Sequence, residues 1–327
     1  MALVLLLLAL AAPLQDAATP PFREWLDAFV AEARTRGFDD ALLEAALGGL
    51  EPLERVVASD RTQAELRPGF DRYYASRVND AIVRRGRALA GEHRVLLDRI
   101  EARFGVPRRF VLAIWAIETR YGRNMGRTPV FQALATLAWE PRRAAFFRGQ
   151  LFDALTMAAT EDIPTGVMVG SWAGAMGHGQ FMPSSYLEYA VDFDGDGRRD
   201  IWRSTPDALA SIANYLARHG WDDTFTWGRE VRLGPGAADR VGEAVPQRTE
   251  GCYAMRTMTA RVPLPEWHTL GVRQVNGSRL PGADVPAGLA RTDSRAFLTY
   301  PNYDVLLRYN CAHYYALTVA LLSDRLR

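Results

Sequence analysis

The 327-residue chain contains no lysine, so all 39 of its basic residues are arginine, set against 38 Asp and Glu for a net charge of +1. Near-neutrality argues against a strongly acidic or basic partner. No arginine run is long enough for a nucleic-acid face, and the uniform arginine reads as the codon usage of a GC-rich genome. Cysteine is almost absent. Cys252 and Cys311 are too few for a structural zinc site or a disulfide scaffold, which leaves one bridge in an oxidising compartment or two separate buried thiols. The five histidines show no metal spacing, no G-x-S-x-G elbow or Cys-His pairing marks a nucleophile, and the glycines do not follow a phosphate-loop order. No organic cofactor is therefore expected. Long apolar runs are missing too: the Leu-rich opening is about a dozen residues, too short to span a bilayer.

What is present is an ordinary globular composition, 48% hydrophobic and 24% charged, in a chain long enough for one large domain and a smaller one. The opening segment, with Ala9-Leu10-Ala11 as an A-x-A cleavage signal, reads as a signal peptide over residues 1–18. It lacks a positive n-region, so a weak anchor is the alternative, and no cysteine follows it for lipid attachment. Residues 21–227 are mostly helical: "FREWLDAFVAEARTRG", "DDALLEAALGGL" and the longer "DAIVRRGRALAGEHRVLLDRIEARFG" are amphipathic and end at glycines. Residues 228–300 change to short β-like runs, "REVRL", "RTMTARV" and "VRQVNGSRL", with Asn276-Gly277 as a hairpin turn. Residues 301–327 return to helical periodicity and are expected to pack back on the first domain as a C-terminal helix.

Three stretches carry chemistry. In "RRFVLAIWAIETRYG" the helical period stacks Val111, Ile114, Trp115 and Glu118 on one face, placing a single carboxylate on the buried stripe. Burial raises a carboxyl pKa, as a general acid at neutral pH needs; the alternative is a core Glu neutralised by Arg120 or Arg123. "GSWAGAMGHGQFMPSSY" lets a ligand approach the backbone, with Ser171 and Gln180 as polar contacts, unless the glycines serve helix packing alone. "DFDGDGRRD" sets Asp192, Asp194, Asp196 and Asp200 at positions one, three, five and nine of a Ca²⁺ loop, with Gly197 at the turn and the Arg198 carbonyl between. Arg203 stands at the twelfth position, so Asp207 is the candidate closing carboxylate. With no second such loop, the ion would be a structural clamp. Trp115, Tyr121, Trp172, Phe181, Tyr186, Tyr215, Tyr309 and Tyr315 are candidate sugar-stacking rings.

Together with "PRRAAFF", "DALASIANYLARHGW" and "LRYNCAHYYA", these stretches resemble the lytic murein transglycosylases of the B type over nearly all of the chain. The resemblance implies a mainly α, lysozyme-like catalytic domain with a small β-rich insert. It implies cleavage of the β-1,4 bond between N-acetylmuramic acid and N-acetylglucosamine, leaving 1,6-anhydro ends. Glu118 falls on the single catalytic acid, Ser171 and Gln180 on glycan-holding positions, Tyr215, Tyr309 and Tyr315 on cleft-lining ones, and Arg142 and Arg143 on a pair that meets the peptide stem. Asp192, Asp194, Asp196, the Arg198 carbonyl and Asp207 match a Ca²⁺ site. The expected form is a soluble periplasmic monomer acting on glycan strands, with cell-wall synthases as candidate partners. Rival readings are a hydrolytic muramidase, with Glu140, Glu161, Asp162 or Glu188 as helpers, and a non-catalytic glycan-binding protein.

Overall fold

The structure, a computed structural model, describes residues 19–62, 69–161 and 163–327, so the expected leader lies outside the described residues. The chain opens with α1 (Phe22–Thr35), α2 (Asp40–Leu47), α3 (Glu54–Thr62) and α4 (Phe70–Arg77). Phe22, Leu26, Phe29 and Ala33 form the buried stripe of α1. Asp39 caps α2 by accepting the Leu42 N–H at 2.8 Å. The stretch read as one long helix is two, α5 (Asp80–Glu92) and α6 (Arg94–Phe104), broken at His93. Gly91 weakens helix propensity just before the break, and Gly105, at φ 67°, ends α6.

Pro107 starts α7 (Arg108–Thr119), in which every residue from Phe110 to Ile117 is buried. A helix apolar on all sides must sit inside other elements. It does: α5 and α6 flank it, and two later helices complete its cover. Next come β1 (Thr128–Pro129), α8 (Val130–Trp139), α9 (Ala144–Thr160), β2 (Val169–Gly170), α10 (Pro183–Tyr189) and α11 (Thr205–Arg218). The short strands β1 and β2 pair antiparallel, tying Thr128 to Gly170, while α11 packs on α6 and α7.

The smaller, sheet-bearing part holds β3 (Gly228–Leu233), α12 (Ala237–Ala244), α13 (Tyr253–Arg256), β4 (Val262–Pro263), α14 (Leu264–Thr269), β5 (Val272–Gln274), β6 (Pro286–Arg291) and β7 (Ala296–Thr299). The antiparallel order is β4-β6-β7-β3-β5. Trp267 is fully buried there among Val231, Val241, Leu264, Val272, Leu289 and Leu298, a cluster separate from the helical core. "REVRL" is a strand as expected. "RTMTARV" is not: it starts in α13, and only Val262 enters a ladder. Asn276-Gly277 turns the chain, with Gly277 at φ 89°, but the return arm joins no strand. The main hairpin is β6–β7, whose four consecutive buried residues in β6 give no alternation to read.

The closing segment is two helices, α15 (Pro301–Tyr309) and α16 (His313–Arg325). Between them Cys311 is disulfide-bonded to Cys252, with Cα atoms 6.2 Å apart, which resolves the choice between a bridge and two thiols. α16 packs against α7, α4 and α15, and thereby covers α7.

Candidate active site

Glu118 lies in the last turn of α7, where the helix is stopped abruptly. Arg120 and Tyr121 are left-handed at φ 52° and 62°, and Gly122 follows at 80°. Side chains hold this strained exit. The Trp115 Nε1–H donates to His178 Nδ1 at 2.8 Å, Thr119 Oγ1 donates to the His178 carbonyl at 3.0 Å, and the Tyr121 hydroxyl donates to the Ile82 carbonyl at 3.0 Å. Because Nδ1 of His178 accepts, the ring proton belongs on Nε2. Burial lowers the His178 pKa, which keeps the ring neutral. The end of α7 is thus latched onto the glycine-rich loop.

That loop and the turn after α7 need their glycines. A side chain on Gly126 would drive its Cβ into the Gly170 carbonyl, and one on Gly177, at φ 65°, would meet the Ile201 carbonyl. Ser171 Oγ accepts the Ala175 N–H at 3.1 Å and the Ala173 N–H at 3.3 Å, so it builds the turn while remaining half-buried. Gln180 is left-handed at φ 51°, and its Nε2 donates to the Gly177 and Met125 carbonyls at 3.0 and 3.1 Å. The amide nitrogen is committed to the fold, which leaves Oε1 as the group to face a ligand.

A row of rings leads from this loop to the acid. Tyr215 and Tyr309 meet edge to face with centroids 4.7 Å apart, and Tyr309 stacks on Tyr315 at 6.4 Å. The Tyr309 hydroxyl donates to the Gly179 carbonyl at 2.7 Å, and that of Tyr215 to the Arg308 carbonyl at 2.7 Å. Tyr315 ends the row by donating to Glu118 Oε1 at 2.5 Å. Tyr215 and Tyr315 are buried, as are the other candidate rings Trp115, Tyr121, Phe181 and Tyr186, the Tyr186 hydroxyl donating to the Arg199 carbonyl. Trp172 and Tyr309 keep partial exposure.

Glu118 is half-buried as a residue, and its surroundings push its pKa up from 4.5 to about 7. Desolvation dominates; the Tyr315 hydrogen bond and the positive charge of Arg77 oppose it. Arg120 and Arg123, the cations the sequence offered as neutralising partners, form no ion pair with Glu118 among the described residues. Arg77 and Tyr73 on α4, which act on or feel the Glu118 charge, had no signal in the sequence. The candidate helpers are engaged elsewhere: Glu140 with Arg61 at 2.7 Å and Glu161 with Arg199, while Glu188 is exposed and Asp162 lies outside the described residues.

Arg142 and Arg143 occupy a single 3-10 turn before α9, and both bind Asp60 of α3. Asp60 is only 1% exposed, so this pair compensates a buried carboxylate. In the acidic loop, carboxylate oxygens of Asp192, Asp194, Asp196 and Asp207 lie within 4.8 Å of one another. Asp207 is fully buried; its oxygens accept the N–H groups of Phe193 at 2.8 Å and Asp200 at 3.0 Å. Among the described residues, none of the four is in an ion pair. Asp200, expected as a fifth carboxylate, is not in the cluster: its Oδ1 accepts the Trp202 and Arg203 N–H groups at 2.9 Å and shapes the loop exit. The Arg198 N–H donates to Asp196 Oδ1 at 2.8 Å, which places it beside the cluster.

Residues 21–324 match the model of the transglycosylase SLT domain. The chain belongs to that transglycosylase family. Among this family's members it is 33% identical to the membrane-bound lytic murein transglycosylase B of Escherichia coli strain K12 over 315 residues, covering 93% of this chain and 82% of that protein. It is 40% identical, with a TM-score of 0.83 over 93% of this chain and 79% of the other, to Pseudomonas aeruginosa SltB3 solved with NAG-NAM-pentapeptide. The Escherichia coli lytic transglycosylase Slt35, solved with calcium, is 30% identical, with a TM-score of 0.76 over 95% and 93% of the two chains. The mainly α architecture with a small β-rich part is therefore the fold of this transglycosylase and of its solved relatives.

Proposed function

We propose that this transglycosylase cleaves the N-acetylmuramic acid–N-acetylglucosamine bond of peptidoglycan without water, with Glu118 serving as both acid and base. One observation carries the reading: a single carboxyl, its pKa pushed up to about 7, at the end of a row of tyrosine rings and with no second carboxylate among its hydrogen-bond partners in the described residues. Tyr315 occupies Oε1, so Oε2 is the oxygen free to carry the transferable proton. Protonated Glu118 donates to the departing glycosidic oxygen, a step worth roughly two to four orders of magnitude. A two-carboxylate glycosidase would place a second acid about 5–9 Å away; here the substrate's own acetamido group is read as filling that role. Ionised Glu118, steadied by Tyr315 and Arg77, then takes the proton from the muramoyl 6-hydroxyl as that oxygen closes on C1. The product is a 1,6-anhydro end. Ser171, Gln180, Tyr215 and Tyr309 are read as the groups that hold the glycan.

The same reading gives the acidic loop a Ca²⁺ ion, held by Asp192, Asp194, Asp196, Asp207 and the Arg198 carbonyl. Four converging carboxylates without a paired arginine are an all-oxygen donor set of the kind a hard cation neutralises. The ion would supply stability to the loop whose exit supports His178 through the Ile201 carbonyl, at 3.0 Å from the His178 nitrogen. An exported, periplasmic location fits both the Cys252–Cys311 bridge and a cell-wall substrate. No helix of the described residues is long and apolar enough to cross a membrane.

Incubating the purified protein with sacculi and weighing the released muropeptides tests the chemistry. Anhydro products, one water lighter than hydrolysed ones, are expected from the wild type and not from Glu118→Gln. Hydrated products would make the enzyme a muramidase, and an active Glu118→Gln would remove the central acid.

A further inference from the structure

We propose that an arginine-lined cavity beside the catalytic helix is a subsite for a carboxylate of the peptide stem carried by the muramoyl residue; this rests on the murein reading above. The cavity, about 500 Å³, opens between the end of α4, the start of α5 and the turn that follows α7. Arg77, Arg85, Arg120 and Arg123 line it, with Asn79 and Asn124. Arg85 is held by Glu92 at 2.8 Å. Among the described residues Arg77, Arg120 and Arg123 are in no ion pair, and Arg77 lies over the Tyr73 ring at 5.5 Å. Three unpaired guanidinium groups around one concavity repel each other and raise the local concentration of anions.

The backbone is shaped to make this wall. Arg120 and Tyr121 both adopt left-handed angles that are costly for side chains, of order 1 kcal/mol or more each. This strained turn brings Arg120, Arg123 and Asn124 to the cavity. Opposite them the N-terminus of the 13-residue α5 contributes Asn79, Ala81 and Ile82, and with them the positive end of a helix dipole. The acid in that first turn, Asp80, is neutralised by Arg325 at 2.7 Å.

The cavity adjoins the end of α7 that carries Glu118, since its wall is the turn formed by Arg120 to Asn124, two to six residues further along the chain, and its arginines suit an anionic ligand. On a murein strand the anionic groups that project from the muramoyl residue are the carboxylates of its peptide stem. The planar guanidinium fork is the side chain suited to bind them in bidentate fashion. Arg142 and Arg143, by contrast, are engaged with the buried carboxylate of Asp60.

The test compares kcat/KM on glycan strands bearing peptide stems with that on strands stripped of them by an amidase. The variant is Arg120→Asn with Arg123→Gln; asparagine suits the left-handed position. Its preference for peptide-bearing strands is expected to fall about 10-fold to 100-fold relative to the wild type, at an unchanged melting temperature. An unchanged preference, or equal losses on both substrates, overturns the subsite. Should the double variant melt early, Arg123→Gln alone, at an exposed position, carries the same comparison. A wild type that makes no anhydro ends from either substrate would instead defeat the murein reading itself.

Discussion

At the scale of one residue, the protein keeps a carboxyl group where it is costly. Glu118 follows Ile114 and Trp115 on the inner face of α7, so its charged form loses hydration that Tyr315 and Arg77 replace only in part. Below pH 4.5 the side chain is protonated in both the folded and the unfolded chain and costs nothing. As pH rises the unfolded chain releases the proton first, and folding loses stability until the folded carboxyl ionises at about 7. A shift of this size corresponds to roughly 3 kcal/mol at most, since residual solvent access reduces it. Glu118→Gln is therefore expected to raise the melting temperature relative to the wild type at pH 8 and not at pH 4; an equal offset at both would show that burial is not what raises the pKa. The same titration predicts kcat/KM that falls as pH rises beyond about 7, because the acid form is lost.

At the scale of elements, the candidate site is made by contacts between segments that are each ordinary alone. α7 presents the acid, α15 and α16 bring Tyr309 and Tyr315, and the glycine-rich loop meets α7 through His178. The turn after α7 and this loop touch backbone to backbone at Gly126 and Gly170, a proximity no β-carbon tolerates. Gly126, at φ 85°, is also in the left-handed region. Gly126→Ala should cost on the order of 2–4 kcal/mol and separate the loop from the helix; urea unfolding would measure it, and a loss below about 0.5 kcal/mol would mean that the two segments can move apart freely. Helix positions in α1, α2 and α7 were legible because one apolar stripe or one unbroken apolar run implies its own burial. The break at His93, the β6–β7 hairpin and the short α13 were not, since local propensity there is weak and tertiary packing sets the conformation.

At the scale of the whole molecule, two restraints bear on the segments around α7. The Cys252–Cys311 bridge ties the sheet-bearing part to the link between α15 and α16, the helices that supply the tyrosines. The acidic loop is tied to α11, whose buried Asp207 accepts the Phe193 and Asp194 N–H groups. Four converging carboxylates without a counterion would repel, so removing a bound Ca²⁺ with a chelator should lower the melting temperature by on the order of 5 °C and restoring the ion should recover it. A melting curve indifferent to chelator and Ca²⁺ would leave the loop without a cation. The sequence by itself placed a lone acid on a buried helix face, a glycine-dependent loop and an acidic motif with the spacing of a cation loop, because period, spacing and residue chemistry are local properties of the chain. Only the tertiary structure decided that Tyr315 and Arg77, from helices at opposite ends of the chain, oppose the burial of Glu118, that Asp60 claims Arg142 and Arg143, and that Asp200 turns away from the cluster. Each is a meeting of residues distant in sequence or a choice of side-chain direction, and those are set by how the elements pack.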